Sequence, residues 1–134
     1  MYRWVDHTAE LELRIEADSE EGVFGEARAA LAELLGERTR DEPSRQRATR
    51  EIAVAAPDRP SLLAEWLSEL VYLAEAEGLI PETLERLGLQ GTALEATVTG
   101  PLASPPHLVK AVTYHRLDMW EEDETWRARV ILDV

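Results

Sequence analysis

The stretch Glu10–Ala17, "ELELRIEA", decides the fold. Leu11, Leu13, Ile15 and Ala17 alternate with Glu10, Glu12, Arg14 and Glu16. A period of two marks a strand with one buried face and one wet face. The far end of the chain repeats the pattern. In "TWRARVILDV", Arg127, Arg129, Ile131 and Asp133 share one side, and Ala128, Val130, Leu132 and Val134 share the other. Chains usually end in a few loose residues. Here the alternation runs to the last one, so a strand is expected to carry a fixed α-carboxylate beside Asp133.

Between these two strands the periodicity changes. Asp18 or Ser19 caps a helix with Glu20 and Glu21 in its first turn,. Val23, Phe24, Ala27, Ala30, Leu31, Leu34 and Leu35 form its apolar stripe, and Gly36 is expected to end it,. Residues 37–47, "ERTRDEPSRQR", read as a polar surface loop,. "ATREIAVAA" is another alternating strand, and Asp58 and Pro60 announce a second helix that Gly78 stops,. That helix presents Leu62, Leu63, Trp66, Leu67, Leu70, Val71 and Leu73, a broader apolar surface that places it nearer the middle of the core. "ETLERLGLQ" and "TALEATVTG" form a hairpin near Gly91,. "GPLASPP" connects it to a second hairpin, "LVKAVTYHRLDMW" and "TWRARVILDV" around the tip "EEDE". With "YRWV" as a short first strand, the order is β-β-α-β-α-β-β-β-β. The expected class is α+β, a largely antiparallel sheet with two helices packed on one face in two layers.

Composition narrows the chemistry. The 134 residues fit one domain, 1–134, and 45% hydrophobic residues suffice for a core,. Cysteine is absent, which excludes disulfides, thiolate metal sites and cysteine nucleophiles,. The sequence has no phosphate-cradling glycine loop and no G-x-S-x-G elbow,. His7, His107 and His115 lie at no zinc-helix spacing,. Independent catalysis is not expected. Lys110 is the one lysine among 14 basic residues, and 27 acidic residues set the net charge at −13. Such a surface repels nucleic-acid backbones unless its basic residues gather on one face. A basic protein or a metal cation is the more natural partner, although acidity by itself also keeps small proteins soluble. No apolar run approaches a membrane span and the N-terminus has no signal-peptide segment, so a cytoplasmic protein is expected,.

The two chain ends carry the most chemistry. "DHTAE" is a compact polar turn in which Asp6 and Thr8 can bond local backbone,. If the first long strand and the last one lie side by side, Glu10, Asp133 and the Val134 carboxylate converge. Calcium and magnesium take oxygen ligands of this kind, and three anionic groups repel one another unless a cation offsets them. The alternative is a solvated strand end with scattered carboxylates.

Four stretches together resemble the archease family: "DHTAELELRI" at Asp6–Ile15, "LLAEWLSELVYLAEAEG" at Leu62–Gly78, "VKAVTYHRL" at Val109–Leu117 and "WRARVILDV" at Trp126–Val134. They span nearly the whole chain in the right order. The resemblance implies an accessory protein rather than an enzyme, one that assists an RtcB-type RNA ligase joining 3′-phosphate and 5′-hydroxyl RNA ends in tRNA splicing or RNA repair. It implies promotion of ligase guanylylation and multiple turnover, and broader use of nucleotide cofactors by the ligase. It also implies a bound divalent metal, calcium-like, held at Glu10, Asp133 and Val134; Asp6 and His7 are candidate supporting partners that orient these ligands. The family usually carries aspartate where this chain has Glu10, one methylene longer, a change calcium tolerates better than magnesium. Lys110 is a candidate contact to the ligase or a nucleotide, against the plainer reading of an exposed strand lysine. Neither stable binding to nucleic acid by the chain alone nor a membrane partner is expected. The alternative function is a general chaperone-like module for nucleic-acid-processing proteins.

Overall fold

The computed structural model describes residues 1–39, 45–103 and 109–134. Seven strands and two helices follow in the expected order. They are β1 (Tyr2–His7), β2 (Glu10–Ala17), α1 (Glu20–Arg38), β3 (Arg47–Ala55), α2 (Arg59–Glu77), β4 (Thr83–Gln90), β5 (Ala93–Pro101), β6 (Ala111–Glu122) and β7 (Thr125–Asp133). The α+β class with antiparallel pairing holds. The strands, however, divide between two sheets, β1-β2-β7-β6 and β3-β5-β4, rather than forming one. Helix α1 contacts β1, β2 and β7 of the first sheet and β4 of the second; α2 contacts β6 of the first and β3 and β5 of the second. Both helices therefore serve two sheets, and the picture of helices on one face of a single sheet is corrected. The division falls between β5 and β6, which pair with different partners on either side of the proline-rich connector.

Local chemistry explains the helix boundaries. The Ser19 hydroxyl accepts from the Gly22 N–H at 3.0 Å, and an Asp58 carboxylate oxygen accepts from the Ser61 N–H at 2.8 Å. Each cap satisfies an N–H that the first helical turn leaves without a partner. Gly78 ends α2 with φ +72°, and its N–H bonds the Ala74 carbonyl at 3.0 Å. Gly36 does not end α1. The helix runs on to Arg38, and Thr39 closes it, its hydroxyl donating to the Leu35 carbonyl at 2.7 Å. A glycine inside a helix costs only about 1 kcal/mol against alanine, so it weakens the helix without stopping it. Of the expected loop, 37–38 are helical and 47 opens β3, while 40–44 lie outside the described residues. So do 104–108, including His107 of the connector.

All seven apolar positions expected on α1 are buried. On α2, Leu62, Leu63, Trp66, Leu67, Leu70 and Leu73 are buried with Ala64 and Ala74, whereas Val71 is only partly covered. Trp66 is the largest fully buried side chain, and its Nε1–H donates to the Phe24 carbonyl of α1 at 2.9 Å. This bond satisfies the indole and locks one helix to the other.

Candidate metal centre

The two long terminal strands meet. β2 and β7 pair antiparallel along their whole length, with Glu10 opposite Asp133, Glu12 opposite Ile131, Arg14 opposite Arg129 and Glu16 opposite Arg127. Cross-strand partners send their side chains to the same face, so Glu10 and Asp133 are direct neighbours. The ladder continues past the strand ends. The Val134 N–H donates to the Ala9 carbonyl at 3.2 Å, and the Lys110 N–H donates to the Asp133 carbonyl at 2.8 Å. Val134 is thereby pinned against the turn that follows β1, in which Ala9 takes a left-handed φ of 57°. Like charges directly opposite one another destabilise a strand pair. An oxygen-binding cation between Glu10 and Asp133 would reverse the sign of that interaction.

The donor set at this end is all oxygen: the Glu10 and Asp133 carboxylates and the main chain of Val134. Among the described residues, His, Asp and Glu side chains alone form no group of three able to hold a metal. His7 stands opposite Glu10 on the other side of β2, but its Nε2 lies 3.3 Å from Glu12 Oε1. Asp6 pairs with Leu11, one register step from Glu10 and hence directed to the alternate face. Lys110 is exposed at the same end of the sheet, immediately before β6. Tyr114 is exposed and its hydroxyl donates to Glu65 Oε1 at 2.8 Å, which holds the phenol above its ordinary pKa, that hydrogen bond being the largest cause.

Sequence reading missed Glu12. The alternation puts it on the wet face, yet it is the one buried charged or polar residue among those described, 1% exposed. β2 and β7 are the inner strands of their sheet. Glu12 and its partner Ile131 thus have chain on both sides, flanked in register by Val5 and Thr113. The Arg14 guanidinium pairs with one Glu12 oxygen and His7 faces the other. Burial pushes the Glu12 carboxyl up, but the hydrogen bonds and charges of Arg14 and then His7 outweigh it, so its pKa lies below the usual carboxylate value. The inner position of β2, which only the strand order reveals, is what buries it, and such groups are buried only with partners,.

A small two-sheet α+β domain whose second and last strands bring two carboxylates together is the class these features define. The chain matches the family described as "Archease protein family (MTH1598/TM1083)" over residues 2–134. It belongs to the archease family. It is 29% identical over 142 residues to the protein archease of Methanosarcina barkeri, covering 99% of this chain and 95% of that protein. To the protein archease of Methanopyrus kandleri it is 31% identical over 138 residues, covering 97% and 96%. Its structure is similar to the solution structure of protein 1598 of Methanobacterium thermoautotrophicum, with a TM-score of 0.72, 28% identity and 99% and 98% of the two chains covered. It also shares its fold with the crystal structure of an archease, described as a possible chaperone, from Thermotoga maritima, with a TM-score of 0.65, 21% identity and 100% and 98% covered.

Proposed function

We propose that this protein is a non-catalytic, cytoplasmic activator of an RtcB-type RNA ligase, promoting guanylylation and repeated turnover of the ligase in tRNA splicing or RNA repair. Membership of the archease family supports the partner. The register that sets Glu10 against Asp133, with Val134 tied to Ala9, supports a metal-bearing sheet end. A calcium-like divalent ion is held there by Glu10, Asp133 and the Val134 carboxylate, and it supplies a positive charge that offsets their repulsion. Glu10 has one more rotatable bond than aspartate, which suits the flexible coordination of calcium better than the octahedral demand of magnesium. His7 supports the site indirectly, through Glu12 on the strand that carries Glu10. Asp6 lies near the end of β1, just before the turn leading to it, and Lys110 offers a cation at the same end for the partner.

Activation requires different affinities for two states of the ligase, since equal binding shifts no equilibrium. The ligase binds RNA and a nucleotide and therefore has positive surface, which a chain of charge −13 meets favourably,. The test is single-turnover guanylylation of the ligase with and without the protein. More covalent guanylate and additional turnovers are expected with it, and both should be lost in Asp133→Ala. No gain in either quantity would refute the proposal. Broad suppression of aggregation of unrelated proteins, without that gain, would instead favour a general chaperone-like role.

A further inference from the structure

The chain is strongly acidic, yet one cavity is lined by arginine. Its volume is about 460 Å³, and Arg3, Arg14, Arg127, Arg129 and Trp120 are among its walls, with Glu16 as the one acidic residue. Three of these arginines form a single row across the sheet. Arg3 of β1 is the direct partner of Arg14 of β2, and Arg14 is the direct partner of Arg129 of β7. Arg127 stands two residues along β7, opposite Glu16 on one side and Trp120 on the other. Adjacent strands are about 4.8 Å apart, so the three guanidinium-bearing side chains of the row arise within about 10 Å.

Like charges in direct cross-strand register destabilise a sheet, and nearby carboxylates offset this row only in part. Arg14 pairs with Glu12, and Arg127 with Glu16. Arg129 uses its Nε to donate to the Arg116 carbonyl at 2.9 Å, while Asp118, its partner across β6, accepts from the Met119 N–H. Arg3 is exposed and, among the described residues, makes no hydrogen bond or ion pair. Among the described residues the Arg127 Nε is buried without a hydrogen-bond partner, with Glu122 Oε1 3.8 Å from it. The exposed Arg3 guanidinium and the Arg129 nitrogens other than Nε are thus left for an anion. Arginine matches phosphate oxygens in a planar fork, and an indole beside such a cluster offers a face on which a base can stack.

Cavity size and surrounding charge select among phosphate ligands. With the four arginines set aside, ten basic residues remain against 27 acidic ones. A long polyanion leaving the cavity would run over that negative surface. A ligand contained within it is shielded, because salt screens exposed charges beyond about 8 Å at physiological ionic strength. We infer that this groove binds a nucleoside polyphosphate, its phosphates on Arg3, Arg14, Arg127 and Arg129 and its base against Trp120. This reading is independent of the ligase-activator reading and of the carboxylate end of the sheet, which lies four residues along β2 from Arg14.

Titration calorimetry and tryptophan fluorescence, with the full chain in EDTA so that divalent ions play no part, test the inference. The probes are GTP, ATP, inorganic tripolyphosphate and a 5′-phosphorylated ten-nucleotide RNA. GTP or ATP should bind saturably at one site and quench fluorescence, with the quench lost in Trp120→Phe. Tripolyphosphate should bind more weakly than the nucleotides. Arg3→Ala and Arg129→Gln should each weaken nucleotide binding about tenfold, the scale of one charge-assisted contact, and the control Arg38→Ala should not. Arg14 is left intact in these variants because it holds Glu12, and unchanged thermal unfolding of Arg3→Ala confirms that the fold persists. Absence of saturable nucleotide binding at millimolar concentration would overturn the inference. So would affinity unaffected by both arginine changes, tripolyphosphate binding as tightly as the nucleotides, or RNA binding more tightly than either nucleotide.

Discussion

The buried Glu12 carboxylate gives an asymmetric prediction. Its side chain is 2% exposed, whereas those of its partners Arg14 and His7 are 47% and 42% exposed. Removing the carboxylate by Glu12→Gln frees two groups that water can reach at once. The loss is then one charge-assisted hydrogen bond, about 1.5–3 kcal/mol at the upper end, reduced because both partners rehydrate. Removing the partners instead, in His7→Ala with Arg14→Ala, leaves a buried carboxylate with no compensation, and breaking a buried pair from that side costs about 3–5 kcal/mol. Urea unfolding at pH 7 resolves the two, since slopes for small proteins are about 1–3 kcal/mol per molar. The double partner variant should have the lower midpoint, and adding Glu12→Gln to it should restore part of the loss. The sign of the pH dependence follows from the lowered Glu12 pKa. Its contribution is fully present above the unfolded carboxylate value of 4.5 and vanishes as pH falls through the lower folded value,. The wild type should therefore lose its advantage over Glu12→Gln on acidification below that value. An equal midpoint for the two kinds of variant, or a stability gap independent of pH down to full protonation, would refute the reasoning.

Other outcomes are equally specific. Trp66→Phe should lower stability by about 1–3 kcal/mol, from the lost indole hydrogen bond to the Phe24 carbonyl and the smaller ring left in a fully buried site,, read by chemical denaturation. Gly100→Ala should destabilise markedly, because a Cβ there would lie 1.7 Å from the Ile80 carbonyl oxygen; a soluble variant with unchanged melting temperature would contradict the packing of β5. The Tyr2 phenol is pushed up to about 12 by burial and by its hydrogen bond to Glu33. Its favourable contribution is full below an unfolded value near 10 and disappears as pH rises through the folded one; ultraviolet titration should show Glu33→Gln ionising earlier than wild type. Calcium should raise the melting temperature of the wild type by mass action and leave that of Asp133→Asn unchanged, as followed by differential scanning fluorimetry.

Much of the molecule was legible in the residues. The alternation of β2 matched the strand Glu10–Ala17 to the residue, and the seven-residue stripe of α1 matched the buried set. Ser19, Asp58 and Gly78 punctuate as their side-chain and backbone chemistry dictates. Glycine misled at Gly36 because the Thr39 hydroxyl, not a left-handed residue, closes that helix. The expected neighbourhood of Glu10 and Asp133 followed from two strands at opposite ends of the chain.

Sequence alone determined which side of each strand is apolar and where the helices begin, since both depend on residues a few positions apart. Only the tertiary structure decided how strands remote in the chain align. One register sets Glu10 beside Asp133, buries Glu12 at the centre of the sheet, and stacks Arg3, Arg14 and Arg129 into one row. That choice belongs to the whole core: a slip of one residue would turn Leu11, Leu13 and Ile15 out of it and their charged neighbours in.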